Sequence, residues 1–332
     1  MNVPKSEELK RIYDALVDEA SKKIYRHRLL YSLLGEKEEI TRMVYEFSPA
    51  SALLSTSKVC YYGAGAGGSW IVQYNRNAHF VIDQYKTGVF CGLPIISLED
   101  FLKLPDCKEY LIIVTVGKEE FRREIAMELD SHGLRYIFAY FALQYFELQY
   151  FDLQYFALKN EYFVDVGALD GETTKYFLEH FENGHAYVFE PNLQQFEVTQ
   201  ERLKDYPQAE LFPYGAYDRN ECLCFDTSHV DPSSAKIAES GNSKIEVRRL
   251  DDLLGDRKVT FIKMDIEGSE LAALRGAERI IREQRPKLAI CIYHKPEDMW
   301  EIPSLLLQYH PDYKLFLRHY SISYTETVLY AI

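Results

Sequence analysis

The first place in this sequence where residue types and spacing suggest chemistry is Val164-Asp165-Val166-Gly167-Ala168-Leu169-Asp170-Gly171. An acid sits at the end of an apolar run there, and two glycines lie in the turn that leads into a helical pattern. Glu190 closes the next apolar run, His185-Ala186-Tyr187-Val188-Phe189-Glu190. In an α/β unit this arrangement packs a glycine turn against a small cofactor, while the second carboxylate accepts both hydroxyls of a ribose. The turn departs from G-x-G-x-x-G, which favours a cofactor without a pyrophosphate. S-adenosyl-L-methionine fits, and its sulfonium would account for a carboxylate such as Asp165 nearby; a brace for the turn is the other reading of Asp165. A second glycine cluster, Gly63-Ala64-Gly65-Ala66-Gly67-Gly68, does fit G-x-G-x-x-G after a strand-like run, with Asp83 twenty residues beyond Gly63. That pattern lets the backbone approach a pyrophosphate and leaves an acid for a ribose. It reads as a nucleotide site or as a tight turn of a structural or dimerising domain; tight NAD binding there would instead make the chain an oxidoreductase.

Strands must end together for these groups to converge, and the pattern supplies them. After residue 160 the sequence alternates YFVDVGA, a helix, HAYVFEP, a helix, AELFPYGAY, a polar segment, VTFIKMDIEG, a helix and PKLAICIYH. This is the alternation of a doubly wound α/β domain. Ahead of it VCYYG, FVID, YLIIVTVG and RYIFAYF, with a helix EEFRREIAMELDSHG stopped by Gly133, predict a smaller parallel α/β unit over 56–140. Residues 1–55 carry helical spacing and form a helical lead, 141–160 a linker, and 161–332 the larger domain. The blocks VDVGALDGETT, VFEPN, RRLDDLL, FIKMDIEGSELAALRGA, ICIYHKPEDMWEIP, LFLRHYS and ETVLYA, in that order, resemble the FkbM-type class I methyltransferases. The resemblance implies a seven-stranded Rossmann-like fold and S-adenosylmethionine-dependent methylation, usually of a hydroxyl oxygen. Carried over by position, it places Asp165, Gly167 and Gly171 in the first cofactor motif, Glu190 on the ribose and Asp265 at a strand end facing the cofactor. The first domain has a looser likeness to small Rossmann-like domains attached to bacterial sugar-modifying enzymes.

Methyl transfer to a hydroxyl is an in-line displacement that needs a base for the departing proton. His294, at the end of LAICIYH, has a suitable side chain and place; it reads as that base, or as a histidine that caps the strand end and packs on Trp300. Asp265 and Glu267 alternate at a strand end, where two carboxylates could hold Mg2+ and lower the acceptor's pKa. Glu267 could equally serve the dipole of the helix that follows. Arg318 and His319 interrupt an aromatic strand pattern and read as acceptor-pocket residues or as part of a structural ion pair. Tyr293 and Trp300 could stack on a sugar ring or fill the core. The acceptor expected is a glycan, nucleotide-sugar or other small natural product. A cofactor-binding scaffold without activity is the rival reading.

Composition narrows the remainder. At 332 residues the chain is long enough for two domains, and its 47% hydrophobic and 27% charged residues are those of a folded protein. A net charge of −13 argues against nucleic acid as the main partner. No apolar run reaches the length of a membrane span, and the charged opening MNVPKSEELKRIYDALVDEA has no apolar signal core, so a cytoplasmic chain is expected. Six scattered cysteines read as free thiols, and a homodimer is left open. The linker FALQYFELQYFDLQYFALKN repeats F-[A/E/D]-L-Q-Y three times. Free of Gly and Pro, it predicts a helical spacer with two apolar stripes, whose copy number would set distance and rotation.

Overall fold

Two parallel sheets grow from the two alternating stretches. The computed structural model describes residues 3–48, 57–65, 68–69, 71–72, 78–139, 149–151, 158–227, 235–237, 241–321 and 323–332. The chain divides into two compact units, one of Met1–Tyr25, Leu148–Arg318 and Glu326–Ile332, the other of Arg26–Glu147 and His319–Thr325. The predicted helical lead is present as α1 (Ser6–Ala15), α2 (Glu19–Leu34) and α3 (Glu38–Phe47). Its first 25 residues fall in the compact unit of the larger α/β domain, and the rest, from Arg26, in the other.

The smaller unit has six strands, β1 (Lys58–Tyr62), β2 (Ala78–Ile82), β3 (Gly88–Phe90), β4 (Leu93–Ile96), β5 (Tyr110–Val114) and β6 (Arg135–Phe138), in the order β3-β4-β2-β1-β5-β6. All pair in parallel except the β3/β4 hairpin. The interior strand β5 is buried at every position, which matches its uninterrupted apolar run. Its helices α4 (Leu98–Leu102) and α5 (Glu119–Ser131) follow β4 and β5. Gly63 takes φ +110°, and the Asp83 carboxylate accepts from the amides of Ala64 (2.7 Å), Tyr85 and Lys86 (both 2.9 Å). The acid therefore ties down the start of the glycine turn; Ala66 and Gly67 lie outside the described residues.

The larger unit is built on seven strands: β7 (Tyr162–Val166), β8 (His185–Phe189), β9 (Ala209–Phe212), β14 (Phe261–Met264), β15 (Lys287–Cys291), β16 (Leu315–His319) and β17 (Thr327–Ala331). Their order, β16-β17-β15-β14-β7-β8-β9, reverses direction between β7 and β14. β17 runs antiparallel to β15, while β15, β14, β7, β8 and β9 are parallel. In such sheets the crevice at the carboxyl ends of the strands, beside the reversal, is where ligands bind. The polar segment between β9 and β14 folds into a small sheet of its own, in the order β10-β13-β11-β12 (Gly215–Ala216, Ser243–Arg248, Glu221–Asp226 and Lys236–Ile237). The helices are α6 (Glu172–His180), α7 (Leu193–Leu203), α8 (Leu250–Leu254), α9 (Glu270–Gly276), α10 (Glu278–Gln284) and α11 (Asp298–Tyr309).

Most of the linker expected to be helical, 141–148 and 152–157, lies outside the described residues. Residues 149–151 form a turn, and Tyr150 takes φ +74°. A right-handed helix cannot run through a residue in that conformation, so the described part of the repeat is not helical.

Candidate active site

The turn after β7 alternates left-handed residues, with φ +83° at Gly167, +53° at Leu169 and +80° at Gly171. Gly167 has a second reason to be glycine: a Cβ there would lie 2.0 Å from the Asp265 carbonyl oxygen on the neighbouring strand end. The Leu169 amide donates to Glu190 Oε2 at 2.9 Å, and the Asn192 amide donates to Oε1 at 2.8 Å. Glu190 thus stands beside the glycine turn with one acceptor position used on each oxygen and others left. Burial pushes its pKa up to about 7 against the two amides and the Lys263 charge, which pull it down. Asp165, by contrast, points inside. It is buried, ion-paired with Lys263 Nζ at 3.0 Å, and accepts from the Thr174 hydroxyl at 2.7 Å. Lys263 also donates to the Gly167 carbonyl at 2.7 Å. Desolvation lowers the lysine's pKa, but the Asp165 and Asp265 charges outweigh it and the net shift is upward. Of the two readings of Asp165, the geometry is that of the brace.

The second group forms where β14 and β15 end. His294 lies three residues beyond β15, with Nδ1 3.0 Å from Glu270 Oε1 and Nε2 3.5 Å from Asp265 Oδ1 and 3.4 Å from Glu267 Oε1. Neither ring nitrogen meets the angular requirement of a hydrogen bond, so charge holds the ring. Burial alone would lower its pKa; interactions with Glu267 and Glu270 and the charges of Glu270 and Asp265 prevail and push it up to about 11. Glu267 reaches His294 by taking φ +53°, a strained turn of the kind found at functional sites. Tyr293 donates to Glu326 Oε1 at 3.3 Å and approaches Asp265 Oδ1 at 3.5 Å. Trp300 is buried in α11, among core residues.

Donor atoms of Asp265, Glu270 and His294 lie within 4.8 Å of one another. Mg2+ asks for near-octahedral oxygen ligands, whereas here an imidazole occupies the centre with each nitrogen turned to a carboxylate. The set brought together is Asp265, Glu270 and His294 rather than the expected Asp265/Glu267 pair, and its imidazole departs from the all-oxygen shell that Mg2+ prefers. All six cysteines carry free thiols.

Residues 165–322 match the model of the methyltransferase FkbM domain. The chain carries an FkbM-family methyltransferase domain. Its 2-O-methyltransferase relative NoeI from Sinorhizobium fredii is 23% identical over 37% of this chain and 59% of its own length. The chain therefore spans a little over half of that relative. A crystal structure of methyltransferase FkbM from Methylobacillus flagellatus is similar over 98% of both chains, with a TM-score of 0.50 and 20% identity, which shows a shared fold.

In and beside this FkbM domain the structure adds residues that the sequence pattern did not single out for the site. Lys263 is one, and a lysine inside the apolar strand Phe261-Ile262-Lys263-Met264 is itself a signal, since that residue type is rarely buried unpaired. Gln149 and Tyr150 are others. The Tyr150 hydroxyl donates to Asp265 Oδ2 at 2.7 Å, and the Gln149 amide donates to Glu326 Oε2 at 2.6 Å and to the Tyr150 hydroxyl at 3.0 Å. Phe151 packs among Phe163, Tyr176, Phe177, Phe181 and Phe261. Of the two readings of Arg318 and His319, acceptor pocket or structural ion pair, the contacts of Arg318 are those of the ion pair. Arg318 pairs with Asp18 (2.7 Å) and donates to the Ser21 hydroxyl (3.1 Å). Burial, helped by the Arg28 charge, drives the His319 pKa down to about 3, so this ring carries no charge to offer an anion.

Proposed function

We propose that the protein is an S-adenosyl-L-methionine-dependent methyltransferase acting on a hydroxyl oxygen of a small acceptor, a glycan, nucleotide-sugar or comparable natural product. The observation that carries this reading is Glu190, a carboxylate held against the left-handed Gly167–Gly171 turn at the point where strand order reverses. A ribose hydroxyl pair can add to that carboxylate's free acceptor positions, and the turn offers close backbone approach. S-adenosylmethionine would supply an activated methyl group. Gly167, Gly171 and Glu190 would hold it, with Asp265 at the neighbouring strand end. The 2-O-methyltransferase relative supports oxygen as the acceptor atom.

The acid–histidine group then handles the acceptor's proton. His294 holds its own proton in the resting site and its side chain is only 7% exposed, while Glu267 and Asp265 are 28% and 22% exposed. The base is therefore Glu267, with the imidazolium fixing its carboxylate and limiting the negative charge that would otherwise gather among Asp265, Glu267 and Glu270. Free thiols suit a cytoplasmic enzyme.

Titration calorimetry with S-adenosylmethionine and S-adenosylhomocysteine, followed by a methyl-transfer screen over sugars and nucleotide-sugars, tests the reading. Binding that weakens at least tenfold in Glu190→Ala supports it. Absence of binding to either compound overturns it, and binding without transfer to any hydroxyl favours a scaffold.

A further inference from the structure

The tandem repeat reaches the site with one residue triplet, Gln149-Tyr150-Phe151. Its first two side chains meet Asp265 and Glu326, and the Tyr150 hydroxyl also lies 3.8 Å from Cys291 Sγ. Tyr150 donates to Asp265, receives the Gln149 amide, and places its ring 5.2 Å from Lys263 Nζ. Its backbone amide donates to the Tyr330 hydroxyl at 3.0 Å. The φ of +74° is one that bulky residues rarely adopt, and Phe151 anchors the triplet in an aromatic cluster. Together these contacts fix the phenol hydroxyl on one oxygen of Asp265, leaving the other oxygen toward Tyr293 and His294.

We propose that Tyr150 is a positioning residue of the cofactor site: it holds the Asp265 carboxylate in the orientation that faces the positive charge of S-adenosylmethionine, and Gln149 holds Tyr150. The inference rests on the methyltransferase reading above. Burial first, and the Asp265 charge after it, raise the phenol's pKa, so the group remains a proton donor across the working pH range. The middle repeat unit is then part of the machinery, and its sequence copies, Gln144-Tyr145 and Gln154-Tyr155, supply internal controls.

Charge separates this role from a purely structural one, because S-adenosylmethionine is a sulfonium and S-adenosylhomocysteine a neutral thioether. The affinity of the full-length chain for both compounds is measured in wild type, Tyr150→Phe, Tyr145→Phe, Tyr155→Phe, Gln149→Ala and Asp265→Asn, each checked for folding by its thermal midpoint. Loss of one hydrogen bond to a charged group is worth about tenfold. Tyr150→Phe is expected to weaken S-adenosylmethionine by about that factor and the thioether less than about twofold. Gln149→Ala should shift the ratio in the same direction, Asp265→Asn at least as far, and the two copy variants not at all. An unchanged ratio in Tyr150→Phe, or an equal change in all three tyrosine variants, overturns the proposal. If Tyr150→Phe does not fold, the ratio in Gln149→Ala decides. Wild-type protein that binds neither compound overturns the methyltransferase reading instead.

Discussion

Glu190 shows how a residue legible from its position acquires a property that position alone does not give. Its place at the end of an apolar strand, one strand after a glycine turn, is readable from the sequence. The rise of its pKa to about 7 is not, because it follows from burial that outweighs the Leu169 and Asn192 amides. An acid so raised gives up its proton only as pH climbs through 7, and the ionised form is the better acceptor for ribose hydroxyls. S-adenosylhomocysteine should therefore bind more tightly at pH 8 than at pH 6, by up to about tenfold for a single group titrating at the midpoint. Calorimetry across that range checks it, and Glu190→Gln should bind weakly with the dependence flattened. Asp165 and Lys263 show the converse. The acid was visible, but its partner lay two positions before a second acid, on a strand whose pairing no single-sequence pattern specifies.

At the scale of elements, strands built on apolar runs were legible, since burial on both faces leaves little polar alternation: β5, β7, β14 and β15 fall where the runs do, with Asp165 and Lys263 as polar exceptions. The small sheet inserted after β9 was not. Its strands Glu221–Asp226 and Ser243–Arg248 bury one face only and mix charge with short apolar stretches, a pattern that loops share. At Tyr150 the helical expectation gives way to a left-handed turn whose side chain meets Asp265. The junction of β7 and β14 yields a prediction of its own. Gly167 is demanded by φ +83° and by the carbonyl that would sit 2.0 Å from a Cβ, so Gly167→Ala must move the two strand ends apart. The expected loss is about 2–4 kcal/mol of stability, together with most cofactor affinity. Urea unfolding monitored alongside calorimetry measures both; a variant of unchanged stability would mean that the strand ends yield freely.

For the molecule as a whole, the boundary that sequence patterning placed at residue 161 marks the start of the sheet, while the compact unit built on it also takes in Met1–Tyr25. Met1–Tyr25 belongs with the FkbM domain, and the reason lies at β16, the edge strand of its sheet. An uncovered edge offers unpaired backbone groups to any passing strand. Here Leu16 bridges Leu315, the Val17 amide donates to the Leu315 carbonyl at 3.0 Å, and the Leu317 amide donates to the Ser21 hydroxyl at 2.8 Å. Arg11 donates to the Leu307 carbonyl of α11, and the Ser304 hydroxyl donates to Glu8. Such pairing joins residues about 300 positions apart, a separation that local periodicity has no means of reporting. Its strongest polar contact is Asp18 with Arg318. Burial would raise the Asp18 pKa, but the bonds from Arg318 and Ser21 win and lower it. Its stabilising contribution is thus complete above the ordinary carboxylate range and lost as pH falls through the lowered value. Asp18→Asn removes the charge and leaves Arg318, largely buried, without it, an expected cost of about 1–3 kcal/mol after allowance for partial exposure. Deleting residues 1–25 should cost more and cause self-association through the bared β16 edge. Chemical unfolding of Asp18→Asn at pH 7 and light scattering of the truncated chain measure the two effects. A truncated chain with the association state and stability of the full-length protein would return the N-terminal segment to the role of a detachable lead.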